Sequence, residues 1–134
     1  MRRARNMEAE RSLNEILQSA SDVLFPDELG ARIVEIGSRG TDGDTPLHVM
    51  AWRRDCRAIE VLIEAGAELD AIGDMGQTPL HVAVMQGDEC SAELLLRAGA
   101  SPDIRSEFGD TPRELAYSRG EAMERLFNCA AHRD

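Results

Sequence analysis

The phrase GDTPLHVMA fills residues 43–51, returns as GQTPLHVAV at 76–84, and returns again as GDTPRELAY at 109–117. Gly43, Gly76 and Gly109 are thus separated by two equal steps of 33 residues. A fixed period of this length marks a repeat architecture, in which one supersecondary unit stacks on the next. Superposing residues 43–75, 76–108 and 109–134 puts Thr45, Thr78 and Thr111 in one column and Pro46, Pro79 and Pro112 in the next. Threonine is a good N-cap, because its hydroxyl can satisfy a backbone N–H left unpaired at a helix start. Proline suits the first helical position, where its missing N–H costs nothing. Each phrase therefore predicts the start of a short helix, with Leu47, Ala51 and their equivalents forming its apolar stripe. A turn follows, with Gly87 and Gly120 in one column and Arg54 in their place in the first copy. A second helix carries AIEVLIEAGA at 58–67 and SAELLLRAGA at 91–100. Gly66 and Gly99 stand at its end, where a left-handed residue is wanted.

TPLHVMA followed by VLIEAGAELDA, and TPLHVAV followed by LLLRAGASPDI, resemble ankyrin repeats. The resemblance covers about residues 43–130. It implies an all-α repeat solenoid of stacked helix-turn-helix units with hairpin-like finger loops between them. On this reading the chain is a single domain. Residues 1–11 are a frayed start, 12–42 an N-terminal cap with the first finger, 43–75 and 76–108 full repeats, and 109–134 a C-terminal capping repeat. RSLNEILQSASDVLF at 11–25 supplies an amphipathic helix to the cap, with Leu13, Ile16, Leu17 and Ala20 at helical spacing. End repeats face water on one side and are expected to be atypical. Arg113 and Glu114 accordingly replace the Leu-His pair of the other copies. In the last second helix, EAMERLFNCAA, Met123, Leu126 and Phe127 are expected inward, after a turn shortened by one or two residues.

Composition narrows the function. The 134 residues are 43% hydrophobic, enough for a core, but only 4% aromatic. There are 25 acids against 15 bases, all of them arginine, for a formal charge of −10. That balance disfavours nucleic acid, which needs a basic face, and an anionic membrane surface. It favours a basic partner. No apolar run is long enough to span a bilayer, and no apolar h-region follows the arginine-rich start. Cys56, Cys90 and Cys129 cannot all pair with one another. They are expected to be reduced, core-filling or inert thiols of a cytoplasmic protein with a composition of bacterial type.

His48 and His81 invite a metal or acid–base reading. Equivalent positions in stacked repeats lie roughly 8–10 Å apart, whereas two ligands must each approach one zinc ion to about 2 Å. The resemblance implies instead that Thr45, His48, Thr78 and His81 hydrogen-bond backbone groups between loops and repeats. No nucleophile elbow, zinc-binding helix or phosphate loop occurs. The expectation is a non-enzymatic chain with no catalytic residue, metal or cofactor.

The surface carries what remains. Beside the repeat glycines stand Asp42, Met75 and Phe108, preceded by Asp74 and Glu107 in the second and third copies and followed by Asp44, Gln77 and Asp110. Trp52 and Met85 share a column of the first helix, with Arg53 beside Trp52. Met75 and Phe108 are large apolar residues at fingertips. Trp, Met and Phe are enriched at interface centres. Asp42, Asp44, Trp52, Arg53, Asp74, Met75, Met85, Glu107, Phe108 and Asp110 are therefore the candidate partner-binding residues of a monomer. The partner expected is a basic protein, most specifically a toxin or enzyme that an acidic, immunity-type inhibitor would neutralise. A general adaptor or scaffold subunit is the alternative, and a metal-dependent role through His48 and His81 a further one.

Overall fold

A computed structural model describes residues 13–20, 36–40 and 43–131. Asp42, His132 and the start of the chain lie outside the described residues. Six helices follow the repeat: α1 (Pro46–Trp52), α2 (Cys56–Glu64), α3 (Pro79–Met85), α4 (Glu89–Ala98), α5 (Pro112–Ser118) and α6 (Glu121–Ala131). Each odd helix packs against the even helix that follows it, then odd against odd and even against even. The result is an all-α solenoid two helices deep. Its core is the set of side chains trapped between neighbouring hairpins, with Leu47, Met50, Ile59, Leu62, Leu80, Leu95 and Phe127 at most 1% exposed. A helical stretch over residues 13–19 adds Leu17 to that core, and the turn residue after it adds Ala20. Arg53 holds it, donating to the Ser19 carbonyl at 2.9 Å and to the Ser19 hydroxyl at 3.0 Å.

The turns between helices repeat as faithfully as the helices. After α1, Asp55 N–H bonds the Met50 carbonyl at 3.0 Å; after α3, Asp88 N–H bonds the Ala83 carbonyl at 3.0 Å. Each closure needs a left-handed residue just before the aspartate. Gly87 fills that place with φ 70°, and Arg54 fills it with φ 59°. The aspartate carboxylates then cap the second helices, Asp55 accepting from Ala58 N–H at 3.1 Å and Asp88 from Ser91 N–H at 3.3 Å. Between α5 and α6 only Arg119 and Gly120 intervene, one residue fewer than in the other copies, and no aspartate caps the second helix.

The fingers are hairpin-like loops, as expected, and they close without a strand ladder. No strand occurs among the described residues. Each finger closes instead through one conserved pair of backbone bonds. Gly40, Gly73 and Ser106 N–H reach the carbonyls of Asp44, Gln77 and Asp110 at 2.8, 2.8 and 2.9 Å. The carbonyls of the same three residues accept from Gly43, Gly76 and Gly109 at 3.0, 3.1 and 3.0 Å. A loop this short satisfies its polar groups without a ladder.

The cysteines correct the expectation of three free thiols. Cys56 and Cys90 form a disulfide, with Cα atoms 6.0 Å apart and the two residues 34 positions apart in sequence. It ties the first turn of α2 to that of α4. In the chain-entropy account a ring of this size stabilises a fold by roughly 4 kcal/mol.

Three substitutions test the turn and cap arguments. Arg54→Gly removes a side chain from a left-handed position that costs a non-glycine residue about 1–2 kcal/mol, partly offset by the freer unfolded chain. The melting temperature is expected to rise. Thr78→Ala, in the repeat with neighbours on both sides, is expected to lower it more than Thr111→Ala at the end of the array. Calorimetry of the three variants decides both; an unchanged or lowered value for Arg54→Gly refutes the strain argument.

Candidate functional site

The buried threonine–histidine pairs sit where each finger meets its helix. Thr45 sends both its N–H (3.1 Å) and its hydroxyl (2.9 Å) to Nδ1 of His48. Thr78 does the same to His81, at 3.0 and 2.9 Å. With Nδ1 accepting, the ring proton sits on Nε2. Nε2 of His48 donates to the Gln77 carbonyl at 2.9 Å, and Nε2 of His81 to the Asp110 carbonyl at 3.1 Å. Both rings are fully buried. Every ring nitrogen is thus occupied by the next repeat or by the helix cap, and no lone pair is left for a metal. Among the described residues no cluster of His, Cys, Asp or Glu could hold a metal ion. In the third copy Glu114 takes the histidine's place, Thr111 Oγ1 accepts from its N–H at 3.1 Å, and no ring reaches onward.

Glycine is required where the fingers approach this network. A Cβ on Gly73 would fall 2.7 Å from Nε2 of His48. One on Gly76 would fall 2.8 Å from the Glu107 backbone nitrogen. The fingers also bond each other. Asp44 Oδ1 accepts the Asp74 N–H at 2.9 Å, and the Met75 carbonyl accepts the Glu107 N–H at 3.0 Å. Met75 is left-handed, with φ 59°. The bond from Glu107 helps hold that strained backbone in place.

The fingers present an apolar line. Phe108 is 68% exposed, Met75 49% and Ile72 46%. Around them Asp74 and Glu107 are exposed, whereas Asp44 and Asp110 are half-buried and engaged in holding the fingers. Asp110 accepts the Ser106 hydroxyl at 2.6 Å. Trp52 is 42% exposed, but it lies at the far end of α1, roughly 9 Å along the helix from the finger. Its neighbours there are Arg53 and Arg54 rather than acids. Met85 is half-buried, its Sδ accepting from Gln77 Nε2 at 3.1 Å. Ile72 was not singled out from sequence, although its column gave the signal, for the equivalent residues Arg39 and Arg105 are charged and exposed. Tyr117 was missed as well. It shares a column with the buried Ala51 and Val84, yet is 48% exposed on the last first helix.

These features define a solenoid of helical hairpins joined by projecting fingers. A family model, ankyrin repeats in three copies, matches residues 10–106. The chain belongs to the ankyrin-repeat family. The match takes in the segment before Gly43 and stops short of the last hairpin, which nonetheless stacks on its neighbour. No curated protein matches the chain. Ankyrin repeats generally mediate protein–protein binding and are typically non-enzymatic. No helix among the described residues is long and apolar enough to cross a membrane.

Burial pushes both imidazoles below the ordinary histidine value of 6.5, against the opposite pull of the carbonyls they donate to and of the Asp44 and Asp110 carboxylates. The Arg39 guanidinium lowers His48 further. Well above pH 6.5 both rings are neutral, folded or unfolded, and the stability is fully present. As the pH falls below that value the unfolded chain takes up protons that the folded chain refuses, so stability declines towards the lowered folded pKa. The melting temperature is therefore expected to drop between about pH 7 and pH 5.5, and to drop less in the His48→Gln and His81→Gln variants. A wild-type slope that survives in the double variant overturns this assignment.

Proposed function

We propose that the protein is a non-enzymatic binding module that recognises a basic partner protein through its finger face. The observation that carries this reading is the exposed line of Ile72, Met75 and Phe108, set among Asp74 and Glu107 on loops that are braced to one another. Large apolar side chains in such places gain little for the fold and much for a contact. Asp44 and Asp110 brace the fingers and Met85 lies beside Gln77; the proposed contact also takes in Trp52 and Arg53 at the far end of α1, and Asp42, which lies outside the described residues. The formal charge of −10 supplies long-range attraction for a cationic surface. The narrower form is an acidic, immunity-type inhibitor of a basic toxin or enzyme. It acts as a cytoplasmic monomer. A scaffold subunit of a larger assembly is the second reading, favoured by the exposed Tyr117 on the terminal first helix.

Affinity capture from the source cells, followed by binding kinetics with the captured protein, tests the proposal. Phe108→Ala and Met75→Ala are expected to raise the dissociation rate, each by an amount equivalent to about 2 kcal/mol, without unfolding the chain. Asp74→Asn combined with Glu107→Gln should slow association at low salt and change little at high salt. Unaltered affinity in the apolar variants, with loss on substituting the second-helix residues Glu60 or Glu93, would place the contact on the opposite face and refute the proposal.

A further inference from the structure

We propose that the Cys56–Cys90 disulfide is a thiol-exchange site, open to low-molecular-weight thiols of the glutathione class, and that Cys90 is the sulfur attacked. The bond lies at the helix-turn end of the repeats, at the opposite end of the first helices from the fingers. It is therefore independent of the finger contact proposed above. Its two sulfurs are not equivalent. Cys90 is exposed, while Cys56 is half-buried. Exchange requires in-line approach of a thiolate to one sulfur, with the other as leaving group. Exposure admits the attacker at Cys90.

Charge makes the same choice. Arg53, Arg54 and Arg57 lie within three residues of Cys56, against Asp55 alone. Asp88, Glu89 and Glu93 lie within three residues of Cys90, with no base among them. Both cysteines sit in the first turn of a helix, so that placement does not separate them; a thiolate released at Cys56 is favoured by the neighbouring arginines. A better-stabilised thiolate leaves faster. The small-molecule thiolate bonds to Cys90 Sγ, the Cys56–Cys90 bond breaks, and its electron pair stays on Cys56, which can then take a proton from water. A second thiolate attacks the small-molecule sulfur of the mixed disulfide and releases the Cys90 thiolate. In sum, one protein disulfide and two thiols become two protein thiols and one small-molecule disulfide. The consequence for the fold is the loss of the covalent tie between α2 and α4, which leaves their packing and the His48–Gln77 bond to hold the first full repeat to the second.

Oxidised Cys129→Ser protein, which lacks the third thiol, is incubated with reduced glutathione, quenched with acid and an alkylating reagent, and mapped by peptide mass. The expected intermediate carries glutathione on Cys90 and the alkyl group on Cys56, in roughly tenfold excess over the reverse pattern. Melting temperature should fall as the bond is reduced. Glutathione found mainly on Cys56 overturns the assignment. So does reduction that occurs only at the rate of global unfolding, or alkylation of both cysteines before any thiol is added.

Discussion

Everything in this structure hangs on a hydrogen bond that crosses from one repeat to the next. A buried imidazole receives its own helix cap on Nδ1 and hands a proton to the following finger through Nε2. His48 reaches the Gln77 carbonyl at 2.9 Å and His81 the Asp110 carbonyl at 3.1 Å. Only the neutral tautomer with the proton on Nε2 can do both at once. The finger carbonyl so held belongs to the residue that also closes the finger. Helix start, finger shape and inter-repeat distance are thereby set by one side chain. The apolar core supplies most of the stabilisation, but it is non-directional, and the imidazole fixes the register in which the layers meet.

Much of this was legible in the sequence, and for a reason. A cap, a first-turn proline and a left-handed closing residue are local requirements, so the Thr, Pro and Gly columns announced them. The shortened last turn could be read in the same way. What escaped depends on the third dimension. Cys56 and Cys90 occupy different columns of the repeat, 34 residues apart rather than one period, so alignment by columns hid their pairing. Trp52 and Phe108 both look like anchors in sequence, but a helix length separates the end of α1 from the fingers. Met85 aligns with the exposed Trp52, yet is half-buried against Gln77. Tyr117 aligns with two core residues and is exposed, for among the described residues no further first helix packs on α5 as α3 packs on α1.

The proposed finger contact and the stacking network share residues, and this limits how the surface can vary. Asp44 braces the next finger, Asp110 closes its own, and Glu107 lends a backbone N–H to Met75. Exchanging one of the first two for partner recognition would loosen a loop as well. The freely variable positions are those whose side chains point away from all of this, Ile72, Met75, Asp74, Glu107 and Phe108. A preformed, braced loop loses little conformational entropy on binding. Specificity in such a surface is free to change without the scaffold changing.

The disulfide also alters the topology of the chain. With Cys56 joined to Cys90, the intervening 33 residues form a closed loop, and the middle finger with its strained Met75 lies inside it. A peptide bond cut at that fingertip would therefore not divide the molecule. The two fragments would stay covalently linked through the helix-turn end and remain in reach of their native packing. That exposed fingertip could be severed and the oxidised protein would still migrate as one chain.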